Sequence, residues 1–309
     1  AGGGTFFAVG GAWRALARLH KAQTEYPLRV LHHYRLAADD ADELCGLVVR
    51  MGRQSLRRIA AVSRNRLAAL PWAALVLQRV IRIAAPQAIV FSANGLREGV
   101  LFDSLSAAER RRDPLIAACT DAARGRDRFG DHAAALYRFS AGAFPDDDGR
   151  TGRLRRAAAI LSDLAWREHP EHRAKFALEA ALYLPDGCLT HDERAWLALA
   201  LHALYGGAED APIAAMPRGL LAAEGARRAR ATGLCFRLGY ALGGAVAGTL
   251  RHAALARQGD RLELRAGPRL APLLGELIDR RLRTLADALG LTPVVVPSKA
   301  PRPLAAATR

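Results

Sequence analysis

The sequence predicts an α/β unit followed by an all-α region that carries a small β-hairpin. Three observations point there. Two short apolar runs, residues 5–9 and 88–93, each end in a turn and lead into a helix-periodic stretch, which is the pattern of buried strands in a sheet with helical crossovers. Beyond about residue 112 the periodicity is almost purely helical. A hydrophobic content of 51% over 309 residues is enough to bury the cores of two domains.

Taken in order, residues 5–9 form a strand, Gly10-Gly11 a turn and 12–22 a helix. A short extended piece follows at 28–34. Asp39 or Asp40 then caps a helix running to about residue 62. Another helix covers 70–83, with Pro71 acceptable in its first turn. The second strand is 88–93, and 96–105 the helix behind it. The run Glu109-Arg110-Arg111-Arg112-Asp113-Pro114 is a charged break that closes the first domain at 112. Helices are expected at 116–124, 132–143, 154–166, 171–183, 190–205 and 224–248. A hairpin pairs 251–257 with 261–265 around Gln258-Gly259-Asp260. A last amphipathic helix presents Leu270, Leu273, Leu274, Leu277, Ile278 and Leu282 on one face. The second domain thus runs over 113–296, and 297–309, with three prolines and small residues, reads as a disordered tail.

Charge narrows the partners. Lysine and arginine number 45 against 30 acidic residues, a net charge of +15, and the lysines are Lys21, Lys175 and Lys299 alone. An Arg/Ala/Leu-rich composition accounts for part of that surplus. The remainder favours polyanions, and arginine suits phosphate because its planar fork binds two oxygens at once. The cysteines Cys45, Cys119, Cys188 and Cys235 lack paired spacing and read as reduced, mostly buried thiols of a cytoplasmic protein. No stretch reaches the ~18 apolar residues of a membrane span, and no signal peptide is present. Neither a membrane nor a specific nucleic acid is expected as partner.

The chain opens Ala1-Gly2-Gly3-Gly4 without an initiator Met and enters an apolar run that reads as an interior strand of a parallel sheet. Few strands follow to flank it. On that ground the sequence is expected to be a fragment cut inside a domain.

Two junctions carry the chemistry. In Ser92-Ala93-Asn94-Gly95-Leu96-Arg97-Glu98-Gly99 a strand meets a glycine turn and a helix that opens with a cation and a carboxylate. A helix start offers free N–H groups and a positive dipole end to an anion. Alone, the junction is most simply a tight βα turn. Val9-Gly10-Gly11-Ala12-Trp13-Arg14 repeats it, and Arg14, Arg18 and Lys21 share one helix face, which alone would be a solvated face. Ligands of open α/β sheets bind at the carboxyl ends of the strands, so the two turns are expected to flank one cleft. That cleft suits a phosphorylated or nucleotide-like ligand.

The residues from Ala8 to Ala17, then Gly95-Leu96-Arg97-Glu98-Gly99-Val100-Leu101-Phe102, resemble the exopolyphosphatase/guanosine pentaphosphate phosphatase (Ppx/GppA) family. The resemblance covers almost the whole chain as the family's C-terminal part. It implies the end of an actin-like, ribonuclease-H-like lobe followed by an HD-like helical domain. It also implies release of terminal phosphate from inorganic polyphosphate, or of the 5′ phosphate of guanosine pentaphosphate, with Mg²⁺ or another divalent cation. The family's phosphate loops, catalytic glutamate and metal carboxylates are expected upstream of this chain, which alone should be inactive. Gly10, Gly11, Arg14, Gly95, Arg97 and Glu98 are the expected substrate-binding wall, with Glu98 fixing the turn. No catalytic or metal residue is assigned.

HD hydrolases use a His, a His-Asp pair and a late Asp to hold metal. Here His132 matches the first position, Ser162-Asp163 the pair without its histidine, and Leu238-Gly239-Tyr240 the late position without a carboxylate, so no metal centre is expected. His169 and His172 read as a polar loop capping the next helix, and Trp166, Trp196 and Tyr240 as core. The cluster His32-His33-Tyr34-Arg35 reads as a short exposed strand. The clusters Arg227-Arg228-Ala229-Arg230 and Arg280-Arg281-Leu282-Arg283 read as solvated helix faces, or as the lining of a groove that tracks a long polyanion. A homodimer is the expected assembly. The remaining alternative is a non-catalytic polyanion-binding or dimerisation module.

Overall fold

The computed structural model describes residues 3–51, 67–126, 128, 132–185 and 188–297. Two compact units result, one of residues 1–112 with 188–191, the other of residues 113–187 with 192–309.

The first unit begins with strand β1 (Thr5–Val9) and helix α1 (Gly11–Gln23), then β2 (Tyr34–Ala37), α2 (Ala38–Arg50), α3 (Leu70–Ala84), β3 (Ala88–Ser92), α4 (Leu96–Ser104) and a single turn, α5 (Ala107–Arg110). The sheet order is β1-β3-β2, with β1 parallel and β2 antiparallel to β3. Strand β3, buried along Ala88–Phe91, is therefore the central strand, and among the described residues β1 pairs on one side only. Pleating sorts the side chains. Ala8, Tyr34, Leu36, Ile89 and Phe91 join Leu16, Leu44, Leu70 and Leu77 of the helices in one core, while Phe7 and Val9 remain exposed.

Helix α2 starts at Ala38 with Ala37 as its cap, so Asp39 and Asp40 sit in its first turn and act on the helix dipole rather than as caps. The part of this helix expected beyond Met51 falls outside the described residues. The extended segment expected at 28–34 forms pairs only from Tyr34 onward. Helix α4 forms where its apolar spacing places it, yet none of its residues is buried.

The second unit is mainly helical: α6 (Pro114–Ala123), α7 (His132–Ser140), α8 (Gly149–Ile160), α9 (Arg173–Leu182), α10 (His191–Leu204), α11 (Pro212–Gly219), α12 (Ala223–Gly243) and α13 (Ala247–Leu250) precede strands β4 (Ala253–Gln258) and β5 (Arg261–Ala266). Helix α14 (Glu276–Leu289) and strand β6 (Thr292–Pro297) close the described chain. His191 is grouped with the first unit although it opens α10. Asp113 caps α6 by accepting from the Leu115 and Ile116 N–H groups, and Pro114 follows at the first helical position.

Three expectations change here. The hairpin gains a third strand, because β6 pairs parallel with β5, and Pro297 belongs to that strand instead of a tail. Residues 298–309 lie outside the described residues. The closing amphipathic stretch divides into a 3-10 segment (Pro268–Leu273) and α14, since Pro272 and Gly275 interrupt a continuous helix. Helix α11, opened by Pro212, was missed because Pro217 within it reads as a breaker.

Close crossings hold the unit together. A Cβ on Gly233 of α12 would lie 2.0 Å from the Ala200 carbonyl oxygen of α10, so only glycine permits that approach. Asp147 accepts from Arg155 Nε at 2.6 Å and from Arg228 Nη2 at 2.6 Å, and Asp146, which also accepts from Arg228, supplies the second negative charge that balances the two guanidiniums. Arg227 pairs with Glu224 and Arg230 with Glu209, so the cluster at 227–230 is tied into ion pairs, with Arg227 on the solvated face and Arg228 largely buried.

Candidate functional site

The register of the first sheet sets the site. Val9 lies opposite Ser92, so β1 and β3 end level and release their turns side by side. Gly10 adopts φ 135° and ψ 156°, a conformation restricted to glycine, which bends the chain from β1 into α1. Gly11 is the first residue of α1 and its neighbour in the turn. Arg14, one turn into the helix, donates from Nη1 to the Ala93 carbonyl oxygen at 2.5 Å. That bond ties the first junction to the second.

The second turn is braced from three sides. Ser92 Oγ and Asn94 exchange hydrogen bonds at 3.0 and 3.1 Å. The Ala93 N–H donates to His32 Nδ1 at 3.2 Å, which requires that nitrogen to be unprotonated. Glu98, at the third position of α4, accepts the Gly95 N–H at 2.6 Å. This bond, followed by its own backbone N–H and the Arg97 and Arg14 charges, holds the exposed carboxyl below its usual pKa. Glu98 therefore stays ionised and is engaged in the turn. The N–H groups of Leu96 and Arg97 sit at the first two helical positions, where α-helical bonding supplies no acceptor. Arg97 is exposed beside them.

All six residues expected at the site thus lie in the turns and helix starts at the carboxyl ends of β1 and β3. Lys21 does not join them: it donates to the Val30 carbonyl oxygen at 2.5 Å beside the rings of Tyr26 and Tyr34, and burial followed by Arg18 lowers its pKa to about 8. His32 is an addition. The sequence showed it only as part of a basic, aromatic cluster, because its role depends on β2 pairing antiparallel beside β3.

The comparison with family models now bears directly on this geometry. Residues 5–108 match the model of the Ppx/GppA phosphatase family, and residues 115–295 match that of the exopolyphosphatase C-terminal domain. The chain belongs to the Ppx/GppA phosphatase family. Membership assigns it to hydrolases and implies an actin-like α/β domain followed by a helical one. Both family domains are represented, which corrects the reading of the chain as the family's C-terminal part alone. No curated protein matches the chain.

In the helical unit the HD-like positions also converge. The His132 ring lies 4.5 Å from that of Tyr240, whose hydroxyl meets Ser162 Oγ at 2.9 Å and donates to Asp163 Oδ1 at 2.7 Å. Asp163 further accepts from Arg128 Nε at 2.9 Å, Nη2 at 2.7 Å and the backbone N–H at 3.1 Å. A guanidinium and a phenol occupy the carboxylate. Divalent-cation dependence is general in this family, but the described residues do not fit a cation: no group of three His, Cys, Asp or Glu side chains is placed to hold one. His169 and His172 lie exposed at the start of α9. Cys45, Cys119 and Cys235 are buried and free, and burial pushes their thiols up to about 12. Among the described residues no helix is long and apolar enough to cross a membrane.

Proposed function

We propose that the two glycine turns form the substrate-facing wall of an exopolyphosphatase, which releases terminal phosphate from inorganic polyphosphate. The Arg14–Ala93 bond carries this reading. It fixes one guanidinium across the mouths of two parallel strands, next to the unengaged N–H groups at the start of α4 and beside Arg97. Donors and positive charge held in this way bind a phosphate without reorganising, which is what electrostatic stabilisation of phosphoryl transfer needs. In this reading Gly10, Gly11 and Gly95 keep the backbone close to the ligand, Arg14 and Arg97 contact phosphate oxygens, and Glu98 holds the turn. The net charge of +15 favours a long polyanion over a neutral substrate.

Phosphate release from polyphosphate, measured with Mg²⁺ or Mn²⁺, tests the assignment. Arg97→Ala should lower turnover about tenfold or more, as expected for one charge-assisted contact to phosphate. Arg309→Ala should leave turnover unchanged. Equal turnover in wild type and Arg97→Ala overturns the assignment of the wall. Guanosine pentaphosphate as competitor addresses the substrate: preference for it at equal concentration overturns polyphosphate as the substrate.

A further inference from the structure

A strained peptide persists only where its surroundings hold it. One lies beside the second turn. The Tyr34 N–H donates to the Leu31 carbonyl oxygen at 3.0 Å, which makes residues 31–34 a turn with His33 at its third position. His33 has φ 62°, the left-handed value of a type II turn, where glycine is preferred and a larger side chain is strained. Rotation of the His32–His33 peptide would bring His33 to a φ of about −90° and relieve that strain. It would also break the bond from the His33 N–H to the Phe91 carbonyl oxygen, now 3.0 Å. The other end of the same peptide is held by His191, which is 7% exposed and belongs to the first unit although it opens α10. Its Nε2 lies 3.1 Å from the His32 carbonyl oxygen, which can only accept, so Nε2 carries the proton and donates. In the neutral ring Nδ1 is then an acceptor and receives the Tyr26 hydroxyl at 2.8 Å. The rings of Tyr26 and Tyr34 pack against His191 with centroids at 5.5 and 5.8 Å.

We propose that His191 is a positioning residue for the second glycine turn and acts through the His32–His33 peptide. Its proton opposes rotation of that peptide, and an amide whose oxygen is engaged is the better donor at its N–H. With the peptide locked, the 31–34 turn clasps the exit of β3 twice, by the His33 N–H at Phe91 and by His32 Nδ1 at Ala93. The two contacts bracket Ser92 and fix where Ala93-Asn94-Gly95 leaves the strand, and with it where α4 begins. The effect on the turn stands by itself; the effect on turnover rests on the substrate wall proposed above.

Amide exchange and phosphate release in His191→Phe and His191→Gln test it. Phenylalanine keeps a ring against Tyr26 and Tyr34 and removes the donor. Glutamine removes the ring and keeps an N–H close to the place of Nε2. Exchange at the His33 and Ala93 amides, resolved by NMR without substrate, should be about two- to tenfold faster in His191→Phe, matching the loss of one hydrogen bond, and near the parent rate in His191→Gln. With polyphosphate as substrate, kcat/KM should fall about tenfold in His191→Phe and recover in His191→Gln. A ring that merely packs would give the reverse order. That reverse order, exchange unchanged in both variants, or wild-type turnover retained in His191→Phe each overturns the proposal. The expected exchange pattern with no polyphosphate turnover in any of the three proteins overturns the substrate reading and upholds the positioning of the turn.

Discussion

His132 should make the helical unit lose stability on mild acidification. Its ring is 2% exposed and neither nitrogen has a hydrogen-bond partner. Burial pushes its pKa down to about 4, with Asp163 opposing and Arg128 reinforcing the shift. In the unfolded chain a histidine titrates near 6.5, so between about pH 6.5 and 4 the unfolded state binds the additional proton. Stability due to this group is therefore fully present above pH 6.5 and falls as the pH drops toward 4. The gap corresponds to about 3 kcal/mol in full, of which about 2 kcal/mol is lost between pH 7 and 5.

The assay is urea unfolding at both pH values in a Trp13→Phe/Trp72→Phe background, so that Trp166 and Trp196 report the helical unit. His132→Leu keeps an apolar group of similar size against Tyr240 and removes two unsatisfied polar atoms. At pH 7 it should change stability by less than about 1 kcal/mol. Between pH 7 and 5 it should lose about 2 kcal/mol less than the parent. Other titrating groups contribute to both proteins and cancel in the difference. Equal losses in the two proteins would refute the neutral, buried imidazole.

Two further substitutions probe the frame. Asp147→Ala leaves Arg155 and Arg228 without their shared carboxylate and should cost about 3–5 kcal/mol, seen as a lower urea midpoint for the helical unit. An unchanged midpoint would show the network to be dispensable. Gly10→Ala meets no atom within 4 Å but cannot adopt φ 135° without strain, so a cost of about 1–3 kcal/mol in the first unit is expected. Full stability with a retained turn, read by hydrogen exchange at Arg14, would contradict that account.

The two glycine turns were legible because strand, glycine and helix start are each local signals, and parallel pairing then puts them side by side. The sheet order was not, since an apolar strand reads alike whether sheet lies on one side of it or both. Strand β6 escaped for a related reason. Thr292-Pro293-Val294 carries a proline that argues against a strand, and it is accommodated because β6 pairs on one side only, with β5. His32 shows the same limit at the site: its contact with Ala93 spans 61 residues and depends on β2 lying beside β3. At the HD-like positions the sequence shows which side chains are present, but the arginine that occupies Asp163 lies outside that pattern.

Net charge is a poor guide to where this chain meets a polyanion. Part of its arginine is committed in ion pairs, such as Arg153 with Asp113 and Arg155 with Asp147, and a paired guanidinium has little field left to offer. The dense run at 227–230 is the clearest case, because its three arginines all reach carboxylates. The run at 280–283 is similar in sequence, yet among the described residues none of its arginines reaches a carboxylate, and Arg281 donates to the Arg237 carbonyl oxygen instead. The difference lies in where the loops at 146–147 and 209 place their carboxylates, which sequence density cannot report. Attraction for phosphate should accordingly be local, concentrated at Arg14 with Arg97. The salt dependence of binding then follows the few guanidiniums free to release counterions, and not the formal charge of +15.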